Sequence, residues 1–245
     1  MTKGKPIIMS QPMVMAILEN RKTQTRRIIK PQLEVNEHGN LRGEWIDKPL
    51  AGLLLHKPQD IIIHCPYGKI GDRLWVRETW QFANWTEDGD PYIRYKSDGK
   101  VSIKRHVPDD WADKVSEIFT VLSCPSNYSI DEKASDRRWR SPFYMPRWAS
   151  RINLEITNIG VERLQDISEE DAIAEGLKAI TKDGKTIKYG IPDLDGLPGT
   201  DDTGWSWQDW CKNPVDAYKK LWESTSGDGS WDLNPYVWVV SFRRI

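Results

Sequence analysis

The segment Lys22-Thr23-Gln24-Thr25-Arg26-Arg27 places an amine and a hydroxyl three residues apart, among Arg21, Arg26 and Arg27. A lysine in a cationic, partly desolvated setting loses basicity, because a second positive charge there is costly. Its neutral amine can take a proton from Thr25 and make that hydroxyl a nucleophile. The plainer reading is a solvated basic loop, since runs of charge usually face water. Glu175, beside Gly176 at the end of an acidic segment that starts at Ser168, is a second candidate. A carboxylate near a helix C-terminus is disfavoured by the helix dipole and so hints at a compensating cation. A surface glutamate tolerates the same penalty, ~0.3–1 kcal/mol.

Glu78 lies in the stretch Leu74–Trp80, where alternation puts it on the face of Leu74, Val76 and Trp80. A carboxylate on an apolar face needs a partner. It is either half of a buried ion pair with an arginine or a substrate contact in a pocket, and pairing is the commoner state of buried charge. Arg137, Arg138, Trp139, Arg140, Arg147 and Trp148 interleave arginines with aromatics, a pattern that can stack bases and hold phosphates. Trp205, Trp207 and Trp210 cluster in an otherwise polar segment, where packing of an insertion is the plain explanation. Metal-ligand spacing is missing: His64 and Cys65 are adjacent, the other His and Cys are scattered, and there is no CxxC, HExxH, P-loop or GxGxxG. We expect neither metal nor nucleotide cofactor.

These residues must be positioned by a chain of 245 residues with a formal net charge of -1. That balance excludes a generally basic nucleic-acid coat and a disordered acidic tail, but not a local basic site. Three cysteines, Cys65, Cys124 and Cys211, argue against a disulfide scaffold and for a reducing compartment. The polar N-terminus carries no signal-peptide core, and no apolar run is long enough to span a bilayer. A cytoplasmic protein is expected.

Ile7–Met9 reads as a short strand, and Pro12 with Met13, Val14, Ile17 and Leu18 as a helix closed by Asn20 in the left-handed conformation. Ile61-Ile62-Ile63 and Leu74–Trp80 read as strands, and residues 92–95 and 101–107 as a hairpin around Asp98-Gly99. A short helix is expected at 109–119, a half-buried strand from Ile152, a helix capped by Ser168, a loop insertion over 178–213 and a helix from Pro214. Residues 31–59 look irregular. Tyr236–Phe242 is apolar on nearly both faces and should be a central strand. The absence of repeated βαβ units predicts an α+β fold with a mixed, mainly antiparallel sheet or small barrel.

Asn20-Arg21-Lys22-Thr23-Gln24-Thr25-Arg26-Arg27 resembles the Gly-x-Lys-x-x-Thr-x-Arg signature of the ASCH domain, a PUA-like β-barrel family. Lys22, Thr25 and Arg27 match, whereas Asn20 departs from the glycine. Gly71–Val76, Ser168–Leu177 and Tyr236–Phe242 are similar to further family segments in the same order. The chain is also similar to long ASCH proteins of tailed phages and prophages. The resemblance implies one domain, a small mixed barrel with short helices, whose core is about 6–30, 60–80, 146–177 and 214–245. Residues 31–59, 81–145 and 178–213 would be large insertions.

Within that superfamily, small bacterial N4-acetylcytidine amidohydrolases use a Lys and a Thr of the signature and a Glu of the acidic helix. These fall on Lys22, Thr25 and Glu175. The implied reaction is amide hydrolysis, with Thr25 attacking the acetyl carbonyl or with Lys22 and Glu175 activating water. Arg21, Arg26 and Arg27 would contact substrate or phosphate. The alternative is a module that binds RNA or single-stranded nucleic acid, or a nuclease, with Lys22 and Thr25 as ligands in the PUA-like pocket. The expected partner is therefore a modified nucleoside or a single strand, with no membrane.

Overall fold

Asn20, at φ 60, marks the point at which the first helix gives way to the basic segment. The computed structural model describes residues 4–46, 57–123, 138–201 and 203–245, with backbone alone at 119–123. Strand β1 is Lys5–Ile8, helix α1 Gln11–Leu18 and strand β2 Gln24–Ile28, followed by the short pair β3 (Glu34–Val35) and β4 (Leu41–Arg42). Next come β5 (Arg73–Arg77), β6 (Trp80–Trp85), β7 (Pro91–Tyr95), β8 (Val101–Ile103) and helix α2 (Asp109–Ser123). The rest is β9 (Asn153–Arg163), α3 (Glu169–Ala174), β10 (Lys178–Thr181), β11 (Ile187–Gly190), α4 (Pro214–Ser226) and β12 (Tyr236–Arg244).

The fold is α+β. The largest sheet has the order β1-β5-β9-β12-β2, and β6-β7-β8, β10-β11 and β3-β4 form smaller ones. Among the described residues no sheet closes into a barrel. By contacts the chain divides into two compact units, one of Met1–Lys5, Ala16–Leu74 and Leu154–Ile245, the other of Pro6–Met15 and Trp75–Asn153. The expected insertion 81–145 falls in the second unit.

In the first unit β12 lies between β9 and β2, antiparallel to both. Val237, Trp238, Val239 and Val240 are all buried, as a strand covered on both faces requires. Val240 pairs with Thr25 and Val239 with Arg26, so β12 sets the register of the basic segment. Asn213 caps α4 by accepting from the amides of Val215 (2.7 Å) and Asp216 (3.3 Å), and the helix buries Ala217, Tyr218, Leu221 and Trp222. The second unit packs Trp80, Phe82, Trp85, Ile93 and Tyr95 from β6 and β7 against Val115 and Ile118 of α2, with Met145 and Ala149.

Several expectations are corrected. Ile61-Ile62-Ile63 is not a strand: residues 58–64 form a 3-10 helix in which Ile61 is buried and Ile63 is 57% exposed. Pro58 sets the first turn, and the Asp60 carboxylate accepts from the Lys57 amide at 2.8 Å. This local bonding outweighs the β preference of three isoleucines. Leu74–Trp80 is two strands, broken at Glu78-Thr79. The expected loop 178–213 contains the β10–β11 hairpin, turned by Asp183, whose carboxylate accepts from the amides of Lys185 (2.9 Å) and Thr186 (2.7 Å). Within the same stretch Asp193 is buried and accepts from the amides of Asp201, Thr203 and Gly204 at 2.8–2.9 Å, while Asp202 lies outside the described residues. Among the described residues no helix is long and apolar enough to cross a membrane, and Cys65 and Cys211 are free.

Candidate functional site

The ends of two helices meet in the first unit. Beyond Asn20, the amides of Arg21 (2.8 Å) and Lys22 (3.0 Å) both donate to the carbonyl of Ala16, which ties the turn to the end of α1. The Thr23 amide then donates to the carbonyl of Ala174 (2.9 Å), and Lys22 forms a β-bridge with Glu175. On the opposite side, the Ser168 hydroxyl caps α3 through the Asp171 amide at 3.1 Å. The helix ends at Ala174, with Glu175 at its C-cap, and Gly176 follows with a φ of 111 that is open to glycine and strained for other residues. A Cβ there would sit 2.9 Å from Ala16 Cβ and 3.2 Å from Lys22 Cβ, so the missing side chain lets the two backbones close up.

The result is a buried ion pair. Lys22 Nζ donates to Glu175 Oε2 at 2.6 Å and to the Glu175 carbonyl at 2.8 Å. Their side chains are 2% and 4% exposed. Burial pulls the Lys22 amine below its usual range; Glu175 opposes that fall, and Arg27 and Arg26 add to it. An ammonium carries three donors. Two are used, and no third protein partner for Nζ is found among the described residues.

Arg26 holds the carboxylate from its other side. Its Nη1 donates to Glu175 Oε1 (3.3 Å) and Gln24 Oε1 (2.9 Å), Nη2 to Asp171 Oδ2 (2.8 Å) and Nε to Glu162 Oε1 (2.7 Å). Gln24 Nε2 closes the ring by donating to Asp171 Oδ1 at 3.0 Å. The Arg26 side chain has no solvent exposure. Burial disfavours its charge, but Glu175 and Glu162 outweigh that and raise its pKa. Glu162 is pushed up by burial, with Arg26 pulling the other way. Tyr218 of α4 lies 6.0 Å from the Arg26 guanidinium, ring centroid to Cζ, and its phenol is raised well above the usual range by burial.

Of the residues singled out from sequence, the structure therefore brings Lys22, Glu175 and Arg26 into direct contact. Arg21 joins them from the edge: its Nε donates to Glu19 (2.7 Å) and its Nη1 to the Gly176 carbonyl. Alternation along β2 puts Thr25 and Arg27 on the face opposite Gln24 and Arg26. Thr25 is buried, and its hydroxyl makes no hydrogen bond among the described residues. Arg27 is half-buried and close enough to Lys22 and Tyr67 to act on both electrostatically.

Glu78 belongs to the second unit and is an ion-pair partner. Arg151 Nε and Nη2 grip its two oxygens at 2.9 Å each, Ser97 Oγ donates to Oε2 at 2.6 Å, and Arg151 Nη1 reaches Asp98 at 2.9 Å. With both oxygens engaged, the carboxylate is occupied as structure rather than offered to a substrate. Arg138 and Trp139 are exposed, whereas Trp148 packs its ring against Trp80, Phe82 and Trp111. Arg147 is exposed and donates to Asn153 Oδ1 at 2.5 Å. Arg140 bridges to Trp80 through its backbone, and Arg137 lies outside the described residues.

Sequence reasoning missed Glu162, Gln24 and Tyr218, and saw Asp171 only as a helix-start acid. The signal for Gln24 was its place two residues before Arg26 on a strand. Among the described residues no cluster of three or more His, Cys, Asp and Glu could hold a metal ion. No family model, curated protein or solved structure matches the chain.

Proposed function

We propose that this chain is an amidohydrolase that removes an acyl group from a modified pyrimidine nucleoside of the N4-acetylcytidine type, on a PUA-like, ASCH-like scaffold. The observation that carries the reading is the Lys22–Glu175 pair: a lysine with lowered basicity, bound to a carboxylate at 2.6 Å, with one amine position that no protein group fills among the described residues. An amine of lowered basicity held against a carboxylate is suited to take up a proton and give it back. Arg26 fixes the far oxygen of Glu175, and among the described residues the other oxygen is presented to Lys22.

In the reaction the Lys22 amine in its neutral form, held by Glu175, takes a proton from water as the water oxygen attacks the acyl carbonyl carbon. The C–N bond to the base then breaks, and the proton passes from Lys22 to the leaving amino group, giving the free nucleoside and a carboxylic acid. Positioned proton transfer of this kind contributes typically ~10²–10⁴-fold.

The test is incubation of the purified protein with N4-acetylcytidine, with chromatography for cytidine and acetate. Stoichiometric release of both over many turnovers supports the reading. Folded wild-type protein that releases neither removes it.

A further inference from the structure

We infer that the second unit carries a binding site for a phosphorylated nucleobase, distinct in residues from the Lys22–Glu175 centre and independent of the reaction assigned there. A cavity of about 530 Å³ is lined by Trp80, Phe82, Trp111, Trp139 and Tyr144, with Lys114, Arg138 and Arg140. Its volume lies within the ~300–1,000 Å³ common for small-molecule sites. Among the described residues no Asp or Glu is in that lining.

Two observations fix the ligand class. First, the aromatic rings offer flat faces that are only partly used: Trp139 is 41% exposed and Tyr144 71%. Every base has a π-face that can stack on such rings. Second, the cations are interleaved with the rings. Lys114 Nζ is 5.0 Å from the Trp111 centroid, and Arg140 Cζ is 5.7 Å from Trp80 and 5.3 Å from Phe82. Lys114 and Arg138, with no acid among the described lining residues, favour an anion, and guanidinium matches phosphate geometry. A stacking face and cations for phosphate together describe a nucleotide. A fatty or purely anionic ligand would leave one of these features unused.

The nucleotide can be free or part of a single strand, and the experiment separates the two. Fluorescence anisotropy of a fluorescein-labelled ten-nucleotide single-stranded RNA is measured with wild type, Trp139→Ala and Arg138→Ala, and calorimetry is run with cytidine monophosphate, adenosine monophosphate and unphosphorylated cytidine. Both substitutions are at exposed residues, so folding is retained and checked by circular dichroism. The proposal expects wild type to bind at least one phosphorylated probe. It expects cytidine to bind at least ~10-fold more weakly, and Trp139→Ala to lose ~5-fold or more. Monophosphate binding identifies a free nucleotide. Binding of the strand alone, weakening steeply with salt, identifies a nucleic acid. No binding of any phosphorylated probe, or binding that both variants retain in full, overturns the proposal.

Discussion

Replacing Glu175 by Gln keeps the shape of the side chain and removes its charge. The loss falls on Lys22. Its amine is 2% exposed and bonded to the carboxylate, and without Glu175 the influences that remain, burial with Arg27 and Arg26, all disfavour the ammonium. A charge stranded in that position costs ~3–5 kcal/mol. The amine has a second option, which is to shed its proton. From an ordinary pKa of 10.5 that costs about 5 kcal/mol at pH 7 and about 2 kcal/mol at pH 9. The sign follows: the unfolded chain keeps the Lys22 proton up to pH 10.5 and the folded variant does not, so raising the pH stabilises the variant. Wild type gains less, because Glu175 holds the proton on the pair. Urea unfolding followed by tryptophan fluorescence should show Glu175→Gln less stable by ~3–5 kcal/mol at pH 7, with the gap narrowing by about 2–3 kcal/mol at pH 9. A second change, Lys22→Met in the same chain, should restore part of the loss by removing the stranded amine. A variant within about 0.5 kcal/mol of wild type at pH 7, or a gap that does not change with pH, would refute the reasoning.

The same cluster and its surroundings give three more expectations. Arg26→Met leaves Glu162, Asp171 and Glu175 together without the guanidinium that bonds all three, and should cost ~4 kcal/mol or more. Glu162, already pushed up by burial, then loses the guanidinium that opposes that rise and takes up a proton in the folded state more readily than in the unfolded one, so the variant should recover stability from pH 7 toward pH 5; a penalty independent of pH argues against a charged cluster. Gly176→Ala brings a Cβ to 2.9 Å from Ala16 at a φ of 111, and its urea midpoint should fall by the equivalent of ~2–4 kcal/mol; an unchanged midpoint contradicts the close approach. Lys104 has its pKa lowered to about 8, first by burial and then by Arg151 and Arg147. Its charge therefore costs stability below pH 8, a cost that fades as the unfolded amine approaches 10.5, so Lys104→Met should be ahead of wild type by ~1 kcal/mol at pH 7, after screening at this partly exposed site, and lose that advantage by pH 10.

What the sequence reveals here is local. The left-handed turn at Asn20, the Ser168 cap and the central place of β12 each follow from a few adjacent residues, and the structure has all three. The three isoleucines at 61–63 mislead because their side chains favour a strand while Pro58 and Asp60 bond the backbone into a turn. The site divides the same way. Lys22 and Glu175 can be named from their types and neighbours, yet what holds them is Arg26, whose partners Glu162 and Asp171 lie 136 and 145 residues away. No pattern in the segment 21–27 announces that its second arginine is buried, because that depends on carboxylates delivered by β9 and α3. Arg26 reads as a solvent-facing charge until those elements are in place.

The central claim is that Lys22 and Glu175 work as one proton-handling unit, and an activity cycle tests it most directly. Release of cytidine from N4-acetylcytidine is measured for wild type, Lys22→Met, Glu175→Gln and the double variant, each confirmed as folded. The account predicts that each single change lowers kcat/KM by ~10²–10⁴ and that the double variant is hardly worse than either, as for residues acting as a unit. Losses that multiply in the double variant, or single variants as active as wild type, would contradict it.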